Sequence, residues 1–297
     1  MNKKVEIIGV QMDLGAGTRG VNMGPAAIRL AGLHDGLKEM DIDFEDKGDL
    51  YMLKEGKTSE KLKNYEQVVD INKKLYNAVK ESFANDAFPV ILGGDHSIAA
   101  GSISATAEKY QKIGVIWIDA HGDWNDDTIT GSGNMHGMPF SAVCGYGPDM
   151  MVDLGQEKRA FVDTKNAVQI AGRDIDPAER VKMKEAGVTV FSIADVDRLG
   201  IHEVMRQAIE IASNGTEGIH VSYDIDAVTP EFAPGTGTTV HGGLSSREAF
   251  IVVEELAASG KMLALDMVEV NPILDTKNRT GELAKELILS ALGKVVY

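Results

Sequence analysis

Three residues in "DAHGDWN", Asp119, His121 and Asp123, occupy alternate positions just after the apolar run "IGVIWI". In extended chain, residues i, i+2 and i+4 share a face, so an acid, an imidazole and a second acid converge on one point. Carboxylate oxygen and imidazole nitrogen together form a hard-to-borderline donor set suited to Mn, Fe, Co or Zn. Taken alone, the trio reads equally well as polar side chains leaving a strand into solvent. Two further strands repeat the theme. "GIHVSYDIDAVTP" carries Asp224 and Asp226 two apart at the end of a buried type of run, and "FPVILGGDHS" passes through Gly-Gly into Asp95 and His96, with Ser97 placed to open a helix. An Asx turn is the plain alternative for the Asp pair, and a hydrogen-bonded core imidazole for His96. Three strands that each deliver His or Asp at one end of a sheet favour a metal centre. Six such ligands suit two ions sharing carboxylates better than one.

The elements that must position these residues are legible as alternation. Short apolar runs, "VEIIGV", "FPVILGG", "IGVIWID", "AVQIAG", "VTVFS", "GIHVSYDID" and "MLALDMVEV", are separated by segments with helical periodicity such as "SEKLKNYEQVVDINKKLYNAVKESF" and "DVDRLGIHEVMRQAIEIASNG". Several runs are apolar at nearly every position, as strands covered on both faces are. The pattern predicts an α/β protein with a mostly parallel sheet and helices on both faces, where sites collect at the carboxyl ends of strands. No linker, low-complexity tract or repeat interrupts it, so residues 1–297 are expected to form a single domain. The long, Gly-rich stretch 125–153 is expected to be a functional loop.

Composition narrows the partners. With 45 acids against 30 bases the formal charge is -15, which argues against nucleic acid. A single cysteine, Cys144, has no partner for an internal disulfide and fits a reducing, cytoplasmic compartment. The amino-terminal apolar run is too short for a signal segment, and no stretch of roughly 18 apolar residues suggests a membrane span.

In order, "GGDHS", "DAHGD" and "SYDIDAVTPEFAPGTGT" resemble the three signature boxes of the ureohydrolases: arginases, agmatinases and their guanidino-acid relatives. The resemblance extends from "GVQMDLGAGTRGVNMGPAAIRLAGL" to "NRTGELAKELILSALG" and is closest to the arginases. It implies a three-layer α/β/α sandwich and two Mn2+ ions per subunit. The implied ligands are His96, Asp119, His121, Asp123, Asp224 and Asp226, with Asp123 and Asp224 as bridging carboxylates and Asp95 in support. It also implies a homo-oligomer, trimer or hexamer. Hydrolysis of a guanidinium needs hydroxide at neutral pH, and metal coordination lowers the pKa of water from about 15.7 towards about 7. A carboxylate-rich shell neutralises the ions so that a cationic substrate can approach.

Glu269 lies in "LALDMVEVNP", a run apolar enough to be buried, where an ionised carboxylate needs a partner. By resemblance it holds the substrate guanidinium, while His136, in "TGSGNMHGMP", shuttles protons and Asp123 relays one to the leaving amine. The same resemblance implies that Asn125, Thr130, Ser132 and Asn134 read an α-carboxylate. Asp176 and Glu179 of "AGRDIDPAE" would face an α-ammonium, and Thr238, closing "GTGT", would join the substrate site. Neutral donors beside acids are the chemistry expected for the α-carbon of L-arginine, giving L-ornithine and urea. Agmatine or a guanidino acid on the same centre is the alternative, and a non-catalytic metal-binding homologue a more distant one. Fold analogy alone admits a zinc deacetylase as well. Three positions depart from the boxes: Thr229 stands where Asp precedes Pro, Thr239 where Pro follows "GTGT", and Trp124 where a smaller residue is usual. Loss of an acid at Thr229 would remove a carboxylate that supports the ligands. Trp124 either packs beneath the loop or narrows the pocket. His241, Cys144 and the methionines read as structural.

Overall fold

The computed structural model describes residues 3–52 and 61–295. Eight strands form one parallel sheet: β1 (Val5–Gln11), β2 (Phe44–Tyr51), β3 (Phe88–Leu92), β4 (Gly114–Ile118), β5 (Ala167–Gly172), β6 (Thr189–Ser192), β7 (Ile219–Asp224) and β8 (Met262–Val268). Their order is β2-β1-β3-β8-β7-β4-β5-β6. All seven apolar runs are strands, and β3, β4, β5 and β7 are buried at every position. The eighth strand, β2, has no such signature. Its "FEDKGDLY" is half-exposed, as an edge strand paired on one side can be. Arg29 fastens it, with Nε donating to Asp46 Oδ2 at 2.7 Å and Nη1 to Asp49 Oδ1 at 2.5 Å.

Helices α1 (Gly24–Leu30), α2 (Leu33–Glu39), α8 (Ile193–Leu199), α9 (Ile201–Ala212), α10 (Ser246–Ser259) and α11 (Arg279–Ala291) cover one face. There Ile28, Leu37, Val204, Val252 and Leu287 pack on Ile7, Leu92, Ile118 and Val221. The other face carries α3 (Tyr65–Ala84), α4 (Ala99–Tyr110), α5 (Pro139–Val143), α6 (Asp149–Val152) and α7 (Pro177–Ala186). Its core is Val68, Leu75 and Ile91 towards one end and Ile103, Trp117 and Phe140 towards the other. The layers are therefore α/β/α. The periodic segment 195–215 is not one helix: Gly200, at φ 78°, separates α8 from α9. Of the run read as helical from residue 59, residues 59–60 lie outside the described residues. The stretch 125–153 is not wholly loop either, since it contains a 3-10 turn (Met135–Gly137), α5 and α6. Among the described residues, no helix is long and apolar enough to cross a membrane.

The chain visits β3 and β4 consecutively, yet β8 and β7 lie between them. The carboxyl ends of β3, β8, β7 and β4 thus border one crevice where the strand order reverses, the position at which open α/β sheets bind ligands.

Candidate metal centre and substrate cavity

Each of the three boxes leaves its strand into this crevice. After β3 the chain turns through Gly94, where an added Cβ would fall 1.7 Å from the Met12 carbonyl oxygen, so only glycine permits the close approach. Asp95 then closes the turn, accepting from Ser97 N at 3.1 Å, Ser97 Oγ at 2.5 Å and Gly15 N at 2.8 Å. It thereby supports the loop without facing the ligands. The ring of His96 stacks on Trp117, with centroids 3.9 Å apart and planes at 9°.

His96 Nδ1 lies 3.0 Å from Asp119 Oδ2, 3.2 Å from Asp123 Oδ2 and 3.2 Å from Asp224 Oδ2. His121 Nδ1 lies 3.3 Å from Asp119 Oδ1 and 3.1 Å from Asp226 Oδ2. Two groups follow, His96 with Asp119 and Asp123, and Asp119 with His121 and Asp226; in each, the donor atoms fall within 4.8 Å of one another. The carboxylate common to both groups is Asp119, whereas the resemblance assigns the bridging roles to Asp123 and Asp224. Trp117 Nε1 donates to Asp119 Oδ2 at 2.9 Å and His121 N to Oδ1 at 2.7 Å, which directs one oxygen towards each imidazole. Asp123 meets only the His96 side. Asp224, the other proposed bridge, is likewise paired to His96 alone in the described ion pairs.

The protonation pattern supplies a test of whether a metal fits. Ser222 Oγ donates to Asp266 Oδ2 at 3.3 Å, so at 2.9 Å it accepts from His96 Nε2–H. Nδ1 is then the unprotonated nitrogen of a neutral ring, buried, aimed at three carboxylates and without a hydrogen bond. A lone pair facing anions is tolerated only with a cation between them. Burial lowers the His96 pKa, but the facing carboxylates of Asp119, Asp123 and Asp224 outweigh it and hold it well above the usual range. The acids tell the same story. Burial and the neighbouring Asp119 push Asp123 up to about 7, and burial with nearby carboxylates raises Asp224 and Asp226. Asp119 is also opposed by burial, yet its bonds to His121 and His96 keep it below the ordinary carboxylate range. Four carboxylates crowded beside two imidazoles match the charge of two dications.

Backbone strain marks two of the site residues. Asp123 has φ 47° and Glu269 φ 64°, both in the left-handed region. The Asp123 carbonyl accepts from Phe140 N at 3.1 Å and Ser141 N at 3.3 Å, and Glu269 N donates to Gly94 O at 2.9 Å, which holds both residues in place. The Glu269 carboxylate is buried, accepting from His96 N at 2.9 Å and pairing with His136 Nδ1 at 3.0 Å. Burial lowers the His136 pKa, but Glu269 outweighs it and pushes it up to about 9.

Over the centre lies a cavity of about 200 Å³. His121, Asp123 and Asp224 of the cluster line it together with His136, Asn125, Ser132, Asp174, Asp176, Glu179 and Thr238. Glu269 is buried next to the lining residue His136, to which it turns Oε1. Two of the residues assigned to the substrate lie elsewhere: Thr130 Oγ1 accepts from Gly133 N at 3.0 Å, and Asn134 Oδ1 accepts from Lys63 Nζ at 2.9 Å. Thr238 Oγ1 also donates to Asp226 Oδ2 at 3.1 Å. Glu179 is 3% exposed and fully engaged, accepting from Trp124 N at 2.6 Å, Asn125 Nδ2 at 3.3 Å and Asp176 N at 3.1 Å. Burial, only partly offset by Trp124 N–H, pushes its pKa up to about 8.

Sequence reasoning passed over Asp174, which lines the cavity two residues before Asp176 and repeats the alternation seen in the boxes. It also passed over Ser222, Asp266 and Arg173. Arg173 directs its guanidinium at the carbonyls of Asp226 (2.7 Å), Ala227 (3.2 Å) and Val240 (2.8 Å), fixing the third box from behind. Thr229 turns its hydroxyl to Glu231 and pairs with no ligand, so the absent acid leaves the centre's own contacts intact. Trp124 packs beneath the loop, edge-on to Phe140 at 4.9 Å. His241 is exposed, and Cys144 is buried with its thiol pKa raised by burial.

The profile of the arginase family matches residues 3–293. The arginase of Staphylococcus aureus (strain COL) is 42% identical over 300 residues, 99% of this chain and 98% of that one. The arginase of Brevibacillus brevis is 43% identical over 295 residues, 99% of each chain. The crystal structure of arginase from Bacillus subtilis subsp. subtilis str. 168 superposes with a TM-score of 0.95 at 42% identity, covering 99% of this chain and 100% of that one. Sequence likeness along the whole chain and likeness of fold agree with the three boxes and the crevice they line: the chain belongs to the arginase family and is an arginase-type ureohydrolase.

Proposed function

We propose that this chain hydrolyses L-arginine to L-ornithine and urea with two Mn2+ ions held by His96, Asp119, His121, Asp123, Asp224 and Asp226. The observation that carries the reading is a cavity lined at once by members of the carboxylate–imidazole cluster, by the neutral donors Asn125 and Ser132, and by the acids Asp174 and Asp176. When bound, the ions supply acidification of water at neutral pH and cancel the charge of the acids.

The remaining steps fall to the chain. Glu269 uses Oε1 for His96 N and His136, leaving Oε2 as acceptor for a guanidinium N–H. His136 gives Nδ1 to Glu269, so proton exchange with solvent runs through Nε2. Asp123, in the cavity lining, passes a proton to the departing amine of ornithine. Asp174 and Asp176 meet the α-ammonium, while Asn125 and Ser132 donate to the α-carboxylate. Glu179, whose oxygens are engaged, holds the loop and α7 together. One observation favours agmatine or a guanidino acid instead: neither Thr130 nor Asn134 lines the cavity, which thins the donors for a carboxylate. The residues act as a single domain, and the protein assembles as a trimer or hexamer, which light scattering checks.

Parallel urea-release assays on arginine, agmatine and 4-guanidinobutyrate, with a chelated control, test the substrate. A kcat/KM led by arginine supports the reading; one led by either other guanidine replaces it.

A further inference from the structure

The cavity wall meant for the far end of the substrate is built from two separate pieces of chain. Loop 125–137 brings Asn125 and Ser132, and the start of α7 brings Asp176 and Glu179. Something must fix the gap between them. Glu179 and Lys182 are three residues apart on α7 and so share one face of it. Glu179 grips the base of the loop at Trp124 N and Asn125 Nδ2. One turn later Lys182 Nζ pairs with Asp126 Oδ2 and donates to Thr128 Oγ1 at 2.9 Å.

Asp126 is 8% exposed and knots the start of the loop. Its Oδ1 accepts from Thr128 N at 2.8 Å, Thr128 Oγ1 at 2.5 Å and Ile129 N at 3.2 Å. The far limb is fastened separately, by Lys63 N donating to Gly133 O at 2.9 Å and Lys63 Nζ to Asn134. Ser132 lies between these two anchorages. Neither Lys182 nor Asp126 lines the cavity or belongs to the ligand groups. Their pairing is a tie outside the chemistry that bears on where the loop stands. Removing the Lys182 ammonium alone would leave a nearly buried carboxylate unpaired, and the loop would have to shift to hydrate it.

We propose that Lys182 is a positioning residue that determines specificity: through Asp126 it sets the spacing between the loop donors and the α7 acids, and so tunes recognition of the substrate's α-carboxylate and α-ammonium while leaving the guanidinium end alone. The inference rests on the arginine reading above. Lys182→Met, Lys182→Arg and the double variant Lys182→Met/Asp126→Asn are compared in the manganese-loaded protein with arginine and agmatine. Hydrogen exchange of segment 126–134 is followed in parallel.

Lys182→Met should raise KM for arginine about 10-fold, equivalent to ~1.4 kcal/mol, with kcat changed less than about 2-fold. Exchange in 126–134 should quicken. Lys182→Arg should recover most of both effects, and the double variant should be milder than Lys182→Met because no carboxylate is left unpaired. Agmatine turnover, which uses neither α group, should not respond. Equal losses on arginine and agmatine, or unaltered loop exchange in Lys182→Met, would overturn the proposal. If the unmodified protein prefers another guanidine, the substrate reading fails by itself, and loop exchange still decides whether Lys182 holds the loop.

Discussion

Replacing Ser222 by Ala probes how His96 is prepared for a metal. Ser222 Oγ is the acceptor for His96 Nε2–H at 2.9 Å and passes the interaction on to Asp266 Oδ2. Behind it, Asp266 Oδ2 also accepts from Ser102 Oγ at 2.7 Å and sits 3.0 Å from His220 Nε2, all fully buried. Without the hydroxyl, the buried Nε2–H has no partner, at a cost of about 1–3 kcal/mol. The ring escapes that cost by moving its proton to Nδ1, where three carboxylates wait. That tautomer competes directly with metal. Loss of such support typically weakens metal binding by about 10- to 100-fold, or ~1.4–2.7 kcal/mol, which agrees with the hydrogen-bond figure. Competition of the metal-free protein with a fluorescent chelator for Mn2+ measures the affinity, and thermal melting without metal serves as control. The expected result is weaker binding with the metal-free melt little changed. Affinity within about 2-fold of the parent would refute the tautomer argument. A lower metal-free melt would show instead that Ser222 acts through packing.

Glu269→Gln should lower kcat by at least about 100-fold and drop the His136 pKa, followed by NMR of the metal-free protein, because a neutral amide no longer stabilises the imidazolium. The His136–Glu269 pair also has a stability signature. Its folded pKa, pushed up to about 9, exceeds the ordinary 6.5, so its contribution is full below pH 6.5 and fades as pH rises through about 9; denaturation across that window checks the sign. Gly94→Ala should cost ~3 kcal/mol or more in urea denaturation, since the new Cβ meets the Met12 backbone rather than a movable side chain. Arg29→Met should destabilise the protein by ~1 kcal/mol at neutral pH. It should also blunt acid unfolding: burial raises the Asp46 pKa, but Arg29 outweighs it and holds it below its usual value, a contribution present above that value and lost as pH falls through the folded one.

The strands that position the site were legible because parallel strands buried on both faces are apolar at nearly every residue, as "GVIWI" and "FPVIL" are. β2 was not legible, because an edge strand tied by Arg29 carries its acids where a buried strand carries valines. The clustering of these His and Asp side chains was legible because alternation in extended chain survives as spacing in the sequence. Which carboxylate serves both imidazoles was not. That depends on Trp117 Nε1 and His121 N steering the two oxygens of Asp119, a matter of direction rather than of spacing. Asp266 is the one polar residue of β8, Ser222 is one of several in β7, and Lys182 is one helix lysine among several. Their contacts come from residues 44 and 56 positions away, which no local pattern encodes.

In the proposed function the six His and Asp side chains form a two-ion centre that cleaves arginine. Stepwise return of Mn2+ to chelator-stripped protein, with urea release from arginine and bound manganese measured on the same samples, tests it most directly. No urea is expected without metal, and the rate should rise until about two ions per subunit are bound. Undiminished turnover in stripped protein, or silence on arginine with both sites filled, would contradict it.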